Sequence, residues 1–512
     1  KKFWLKFCLL ASLSAAAPAL KIQVMPVESS LDAGNGTYDE AFEPGLGQLA
    51  EKVGRNPIRT VVQKFMAKKE RGEECVMLAG GRPISAQFPK ICGGPENDGL
   101  MNYGPNLAKG SPELVKWARA FVQEQHLPPA GWKHHDLIMT PGNTNSIAMT
   151  ILLCTDAGEA VLCDEFTYTG LMAATRPLGR RSVGVAMDAQ GMIPSELRNL
   201  AQALAKEDGG RAPRLLYLVP TGQNPTTITM PSARRREIYR VAQECNLLIL
   251  EDDPYCQLAL GLDTAASEDD MPGLTPHPHG SFLSLDSDGR VIRLESCSKV
   301  LAPGFRLGWL VGPKVVVEKL AVMAEVLVWS ISGFTQQAFL ECVQELGKEG
   351  LHRHVQKLQW AYRQRRDICV KAFERHLTGL AQWEVPADGM FLWLEVKDVV
   401  NAGRLAEALV ERGVAMVPGS SFLASEDSRP CSHFRVSFTQ LTEATAEQAA
   451  KCLAAALRDT DFVAAHCQGS SPTAESKGAE QKSQQAAGMR VAVALTAASI
   501  LLLGFRRAFS RS

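Results

Sequence analysis

Between about residue 135 and residue 310 the chain repeats one arrangement: a short apolar run, a polar segment, then a stretch with helical spacing. The runs are "DLIMT", "AVLCDEF", "SVGVAM", "RLLYLVP", "LLILEDD", "VIRLES" and "RLGWLVG". Short apolar runs without strict alternation fit strands buried on both faces, and strands separated by helices build a mostly parallel sheet. The expectation is an α/β domain around a seven-stranded sheet. "NSIAMTILLC" and "RRREIYRVAQEC" carry apolar residues at helical spacing, and "KVVVEKLAVMAEVLVWS" reads as a longer helix with a core stripe. The next segment changes character. A charged helix, "HRHVQKLQWAYRQRRDICVKAF", leads to the strands "GMFLWLEV", "VAMVPG" and "HFRVSF" and closes on the helix "EATAEQAAKCLAAALRD", a pattern suited to a smaller α+β lobe.

The unusual polar residues fall just after the strands. "TPGNTNS" follows "DLIM", "EFTY" follows "AVLCD", "TGQNP" follows "LLYLVP", "DDPY" follows "LLILE" and "SCSK" follows "VIRLE". In open α/β sheets the ligand crevice lies beyond the carboxyl ends of the strands, so these segments converge on one site. Ser296, Ser298, Arg306 and the Gly142-Asn143-Thr144 turn entering a helix offer hydroxyls, backbone N–H groups and a forked cation, a set suited to a phosphate monoester. Lys299 offers an amine able to form a Schiff base with an aldehyde. Asp252, at a buried strand end, is suited to keeping a pyridinium nitrogen protonated, and Tyr168 to stacking on an aromatic ring. Taken singly, each has an ordinary reading: Asp252 a helix cap, Asn224 a turn residue before Pro225, Tyr168 core packing, Arg306 a surface cation. Jointly, in this order, they describe a site for pyridoxal 5'-phosphate.

The bulk numbers narrow the remaining classes. With 55 basic and 55 acidic residues among 512, the chain has no net charge to support nucleic-acid binding. Its 13 cysteines are odd in number, form no C-x-x-C pair and often sit in apolar runs, which reads as buried thiols in a reducing compartment, with neither a disulfide framework nor a metal site indicated.

The segments "PTGQNPTT", "EDDPY" and "SCSKVLAPGFRLGW" resemble those of the class I/II aminotransferases of PLP fold type I, over roughly residues 50–460. Within that superfamily, "MLAGGRPISAQFP", "MNYGPNLAKGSPELVKW", "CDEFTYTG" and "VPADGMFLWLEV" are similar to the aromatic group, which includes the kynurenine/2-aminoadipate and fungal aromatic enzymes. The resemblance implies a large PLP domain at 101–345, a small domain at 346–465, and an N-terminal arm at 31–100 belonging partly to the small domain. It implies that Lys299 carries the cofactor and moves the substrate proton, that Asp252 pairs with the pyridine nitrogen, and that Asn224 and Tyr255 bind the 3'-oxygen. Tyr168 would stack on the ring, and Asn143, Thr144, Ser296, Ser298 and Arg306 would hold the phosphate, with Tyr103 reaching it from a second subunit of an obligate homodimer. Arg435 would grip the substrate α-carboxylate beside Asn224, Gly81 would let the substrate backbone approach, and Arg59 or Arg82 would assist acidic side chains. The chain departs from the family at Asn143-Thr144, where many relatives have a small residue or serine followed by glutamine or asparagine. It departs again at Arg82, where kynurenine-type relatives have an apolar residue. The implied reaction moves an amino group from an aromatic amino acid, kynurenine or 2-aminoadipate to a 2-oxo acid such as 2-oxoglutarate, in two half-reactions. Two alternatives stay open: another fold-type-I enzyme, a lyase or synthase, and a ligand-sensing regulator, for which the residues before Arg55 show no DNA-binding pattern.

Both ends differ from the middle. "KKFWLKFCLLASLSAAAPAL" is basic, then apolar, then small, as in a targeting leader over about residues 1–30. Residues 466–488 are polar and small and read as a disordered linker. Val491 to Phe505 is an uncharged run of 15 residues, about 22 Å as a helix against a hydrocarbon core of about 30 Å, and Arg506, Arg507 and Arg511 follow it. Within the tail, 489–512, this run is expected either to meet a membrane or to pack on the body, in a protein of the cytoplasm or mitochondrion.

Overall fold

The computed structural model describes residues 61, 64, 65, 67–69, 71–79 and 109–467, apart from 127–130, 208–211, 262–265, 329, 398 and 426–428. The expected leader, the linker beyond Cys467, the apolar tail, and Arg59, Gly81, Arg82 and Tyr103 lie outside the described residues.

All seven apolar runs are strands of one sheet: β1 (His135–Thr140), β2 (Ala160–Asp164), β3 (Arg181–Val185), β4 (Leu215–Leu218), β5 (Leu248–Asp252), β6 (Val291–Ser296) and β7 (Gly308–Pro313). Their spatial order is β1-β7-β6-β5-β4-β2-β3. β7 runs antiparallel to both neighbours, and the other adjacent pairs are parallel. Six strands therefore end at one edge of the sheet. β7 begins there, with Gly308 opposite both Thr140 and Ser296. Successive residues enter two different cores: Leu137 and Met139 one, Ile138 the other; Leu216 and Leu218 one, Leu215 and Tyr217 the other. This two-sided burial is why the runs read as continuous rather than alternating.

Helix α1 (Asn143–Cys154) follows β1, α2 (Ser232–Glu244) precedes β5, and α3 (Lys314–Leu327) follows β7. The longest, α4 (Gly333–Leu377), is interrupted at Gly347, whose φ of 62° and ψ of −177° break the helical path. A second, antiparallel sheet has the order β8 (Ala381–Trp383), β9 (Phe391–Val396), β11 (His433–Ser437), β10 (Val417–Pro418). Leu392, Leu394, Phe434 and Val436 from its inner face join the same core as Tyr217 and Leu250. Each such fully buried apolar side chain stabilises the fold by roughly 1.5–3 kcal/mol. Val76–Met77 pairs in parallel with Val414–Ala415, which ties the N-terminal segment to the C-terminal part. A short helix, Thr460–Cys467, runs two residues into the stretch expected to be linker, held by Phe462 O accepting from His466 Nδ1 at 2.8 Å. Ten cysteines between Cys75 and Cys452 are free thiols.

Candidate active site

The edge where six strands end gathers the polar segments, and each is placed by its local structure. Gly142 caps α1 with φ 107°, a backbone conformation that favours glycine, and a Cβ there would stand 3.0 Å from Arg306 Nη2 and crowd it. The first turn of α1 presents Asn143 and Thr144 with the unpaired N–H groups of a helix N-terminus. Arg306 itself holds a left-handed conformation (φ 47°, ψ 48°), rare for a side chain of that size. Its guanidinium is tied down by Pro141 O at 3.0 Å and Pro303 O at 3.3 Å. Ser296 ends β6, and its hydroxyl oxygen accepts from Ser298 N at 3.2 Å, capping the short helix Cys297–Val300 that carries Lys299.

Asp252, the last residue of β5, is buried, and each of its oxygens takes one strong donor: Asn143 Nδ2 at 2.6 Å on Oδ1 and the Tyr217 hydroxyl at 2.7 Å on Oδ2. Burial pushes its carboxyl up to about 6 although both hydrogen bonds oppose the shift. Burial likewise pushes the Lys299 ammonium down to about 8, reinforced by the charges of Arg435 and Arg306 and partly offset by Asp252. Tyr168 shares a hydrogen bond with Thr144 and senses Asp252, Arg435 and Arg306, while burial raises its phenol. Its ring packs so closely over Gly170 that a Cβ there would stand 2.2 Å from it. Tyr255 shares a hydrogen bond with Asn224 and meets the Phe391 ring edge-on at 6.0 Å.

Arg435 comes from β11 and is buried. It donates from Nη1 to Asn224 Oδ1 at 2.8 Å and from Nη2 to Ala79 O at 2.7 Å. Its guanidinium lies between the rings of Phe391 (4.2 Å) and Phe422 (5.0 Å). Burial lowers it to about 10, so it remains charged at neutral pH.

Eleven of the expected site residues therefore fall together: Asn143, Thr144, Tyr168, Asn224, Asp252, Tyr255, Ser296, Ser298, Lys299, Arg306 and Arg435. Four contributors were not expected: Tyr217, the Ala79 carbonyl, Phe391 and Phe422. Tyr217 had one signal, a hydroxyl in the otherwise apolar run "LLYL"; a backbone carbonyl leaves none. Among the described residues no cluster of three or more His, Cys, Asp or Glu side chains is placed to hold a metal.

The residues fit pyridoxal 5'-phosphate. Three cations face one carboxylate, an excess that favours a dianionic phosphate and a substrate carboxylate. Asn143 Oδ1 and Arg435 Nε are buried with no partner among the described residues. Such atoms are costly unless a ligand meets them.

The site is that of a pyridoxal-phosphate enzyme, and comparison with known proteins specifies the family. Residues 96–453 match the model of "Aminotransferase class I and II". The mitochondrial kynurenine/alpha-aminoadipate aminotransferase of Rattus norvegicus is 32% identical over 432 residues, covering 80% of this chain and 97% of the relative. An aromatic amino acid aminotransferase of Schizosaccharomyces pombe is 32% identical over 367 residues, covering 67% of this chain and 75% of the relative. A crystal structure of Pyrococcus horikoshii kynurenine aminotransferase superposes with a TM-score of 0.70 at 24% identity, covering 81% of this chain and 97% of that one, a likeness of fold. The chain belongs to the class I and II aminotransferases, and it is a PLP-dependent transaminase.

Proposed function

We propose that this aminotransferase takes its amino group from an aromatic amino acid, kynurenine or 2-aminoadipate and gives it to a 2-oxo acid, 2-oxoglutarate foremost. The relatives named for these substrates support the reading, and so does Arg435, a buried charged fork between two aromatic rings. When bound, the cofactor supplies an electron sink for the carbon that loses its proton. The protein does the rest. Lys299 holds the cofactor and, with its ammonium lowered to about 8, can take the substrate Cα proton at Nζ and return it. Arg435 orients the substrate through its α-carboxylate; Asn224 sets the Arg435 fork and, with Tyr255, faces the cofactor's 3'-oxygen. Asp252 faces the ring nitrogen and Tyr168 the ring. The N-terminus of α1, Ser296, Ser298 and Arg306 take the phosphate. Arg59, Gly81, Arg82 and the partner's Tyr103 complete this assignment. A panel of donors with 2-oxoglutarate, followed through cofactor absorbance, tests it. Preference for alanine or aspartate by orders of magnitude over every aromatic donor overturns the substrate class.

The reading includes a homodimer, favoured by the exposed Val315, Val322, Leu327 and Phe334 at α3 and the start of α4, an apolar surface a partner would cover. A border between large and small domains near residue 346 agrees with the break at Gly347. The relatives' mitochondrial location favours that compartment, with the leader as address. The tail at 489–512 is read as a membrane contact through its uncharged run and following arginines. Removing everything after Gly469 should leave transamination intact and release the protein from membranes; a full-length protein already free of membranes ends that reading.

A further inference from the structure

Tyr217 sits in β4, the strand beside that of Asp252, with its side chain wholly buried in an otherwise apolar run. Phenylalanine would fill this space equally well. A buried hydroxyl costs free energy unless it is bonded, and this one donates to Asp252 Oδ2 at 2.7 Å. Burial and the nearby Asp252 charge both raise the phenol's pKa, so the hydroxyl keeps its proton and acts as donor. With Asn143 on the other oxygen, the carboxylate is pinned at two points and still has lone pairs to offer.

We infer that Tyr217 is a positioning residue for the cofactor: through its hydrogen bond it holds Asp252 ionised and aimed at the ring nitrogen. The inference rests on the reading of Asp252 as that nitrogen's partner. The chemistry has a definite direction. Without the Tyr217 hydroxyl the carboxyl keeps a proton more readily, the ring facing it carries less positive charge, and the electron sink weakens. A less positive ring also holds a neighbouring proton more tightly. The visible absorbance of the bound cofactor should therefore change with pH at a higher midpoint.

The experiment uses the holoenzyme as wild type, Tyr217→Phe, Asp252→Asn and the double variant. Absorbance titration, steady-state kinetics and thermal unfolding are measured on each. For Tyr217→Phe the midpoint should rise by at least about half a pH unit and kcat should fall about tenfold, with KM for both substrates within about threefold. In the Asp252→Asn background the second substitution should add nothing, because its route has been removed. A Tyr217→Phe titration superimposable on wild type, while Asp252→Asn moves it, overturns this inference alone. A Tyr217→Phe effect that persists undiminished in the Asp252→Asn background also overturns it. An Asp252→Asn titration that stays in place removes the underlying reading of Asp252. Should Tyr217→Phe not fold, difluorotyrosine at position 217 keeps ring and donor; its stronger hydrogen bond should lower the midpoint, and an unmoved midpoint overturns the inference.

Discussion

Two buried charge clusters lie side by side at the ends of β5 and β6, and they have settled in opposite ways. In one, Arg293 is fully buried and spends its guanidinium on Glu251 at 2.8 Å, Glu295 at 2.6 Å, Asp253 at 3.4 Å and the Cys256 sulfur at 3.4 Å. Glu251 takes further donors from Phe282 N and Leu283 N, and Glu295 meets His126 at 2.7 Å. Apart from one oxygen of Asp253, which has no hydrogen-bond partner among the described residues, the cluster closes on itself. Against the upward push of burial, Arg293 and His126 hold the Glu295 carboxyl down at about 2. The second cluster is Lys299, Asp252, Arg435 and their neighbours. There burial wins: the amine comes down to about 8 and the carboxyl goes up to about 6. Charges that satisfy one another hold a fold; a charge such as Arg435, whose Nε has no partner among the described residues, is available to a ligand.

Replacing one cation by methionine in each cluster breaks or sharpens this contrast. The largest effect is on turnover in Lys299→Met, a loss of at least roughly a thousandfold, since proton transfer at Nζ goes with the amine. Borohydride should fix the cofactor on one lysine of the wild type and on none here; labelling elsewhere sinks the assignment. The same variant should gain stability as apoprotein. A folded pKa of about 8 lies below the unfolded value of 10.5, so below pH 8 the fold pays the full cost of keeping this amine charged. That cost fades as pH rises from about 8 to 10.5, where the unfolded chain binds the extra proton. Thermal unfolding of apo Lys299→Met should exceed wild type by up to about 3 kcal/mol at pH 7, and the gap should shrink by pH 10.5.

Arg293→Met should do the reverse. It strands Glu251, Asp253 and Glu295 without their cation, an expected loss of about 3–5 kcal/mol in stability, while folded protein keeps kcat within a few-fold. A variant as stable as wild type would show that the closed cluster adds specificity and little stability. Next in size is Arg435→Gln, which removes the fork from the substrate carboxylate. We expect kcat/KM for every amino donor to fall about a hundredfold, mostly through KM, with the cofactor still bound. An effect confined to acidic donors would move Arg435 from the α-carboxylate to the side-chain pocket.

The gathering of Lys299, Asp252 and Asn224 at one edge was legible in the sequence because a polar residue after an apolar run is expensive there and a sheet gathers strand ends at one edge; Arg306, just before β7, joins them because β7 starts at that edge. Most of the strands were legible for the related reason that two-sided burial leaves nearly continuous apolar letters, while the edge strand β3 is only partly buried. Tyr217 was hidden because its polarity is one atom on a side chain that otherwise packs as core. Asn143 was expected at the phosphate, and its side chain in fact donates to Asp252; spacing says which residues start a helix but not which way a side chain turns. The Arg293 cluster was invisible because "VIRLES" and "LILEDD" show ordinary charges, and only the parallel register of β5 with β6, Glu251 opposite Arg293, makes them a pair.

Asp164 tests where the contrast ends, and carries the smallest expected effect. It closes β2, is buried, and has one oxygen on Gln223 Nε2 at 3.2 Å while the other has no partner among the described residues. Burial raises its carboxyl to about 7, a shift of the kind seen at Asp252. Yet its bonded neighbour Gln223 is tied to Phe166 O and Thr226, so the carboxyl positions backbone rather than reacting. The folded pKa lies above the unfolded value of 3.8, so the native state favours the protonated form. This group therefore costs nothing at pH 3 and an increasing amount as pH climbs from about 4 to 7, after which the cost is constant. Asp164→Asn removes the titration and should raise the thermal midpoint by a few degrees at pH 8 and leave it unchanged near pH 4, with kcat/KM within about threefold. A tenfold loss of kcat with the midpoint unmoved would place Asp164 in the site itself, and a displaced pKa with an unpaired oxygen would then suffice to mark a catalytic group in this fold.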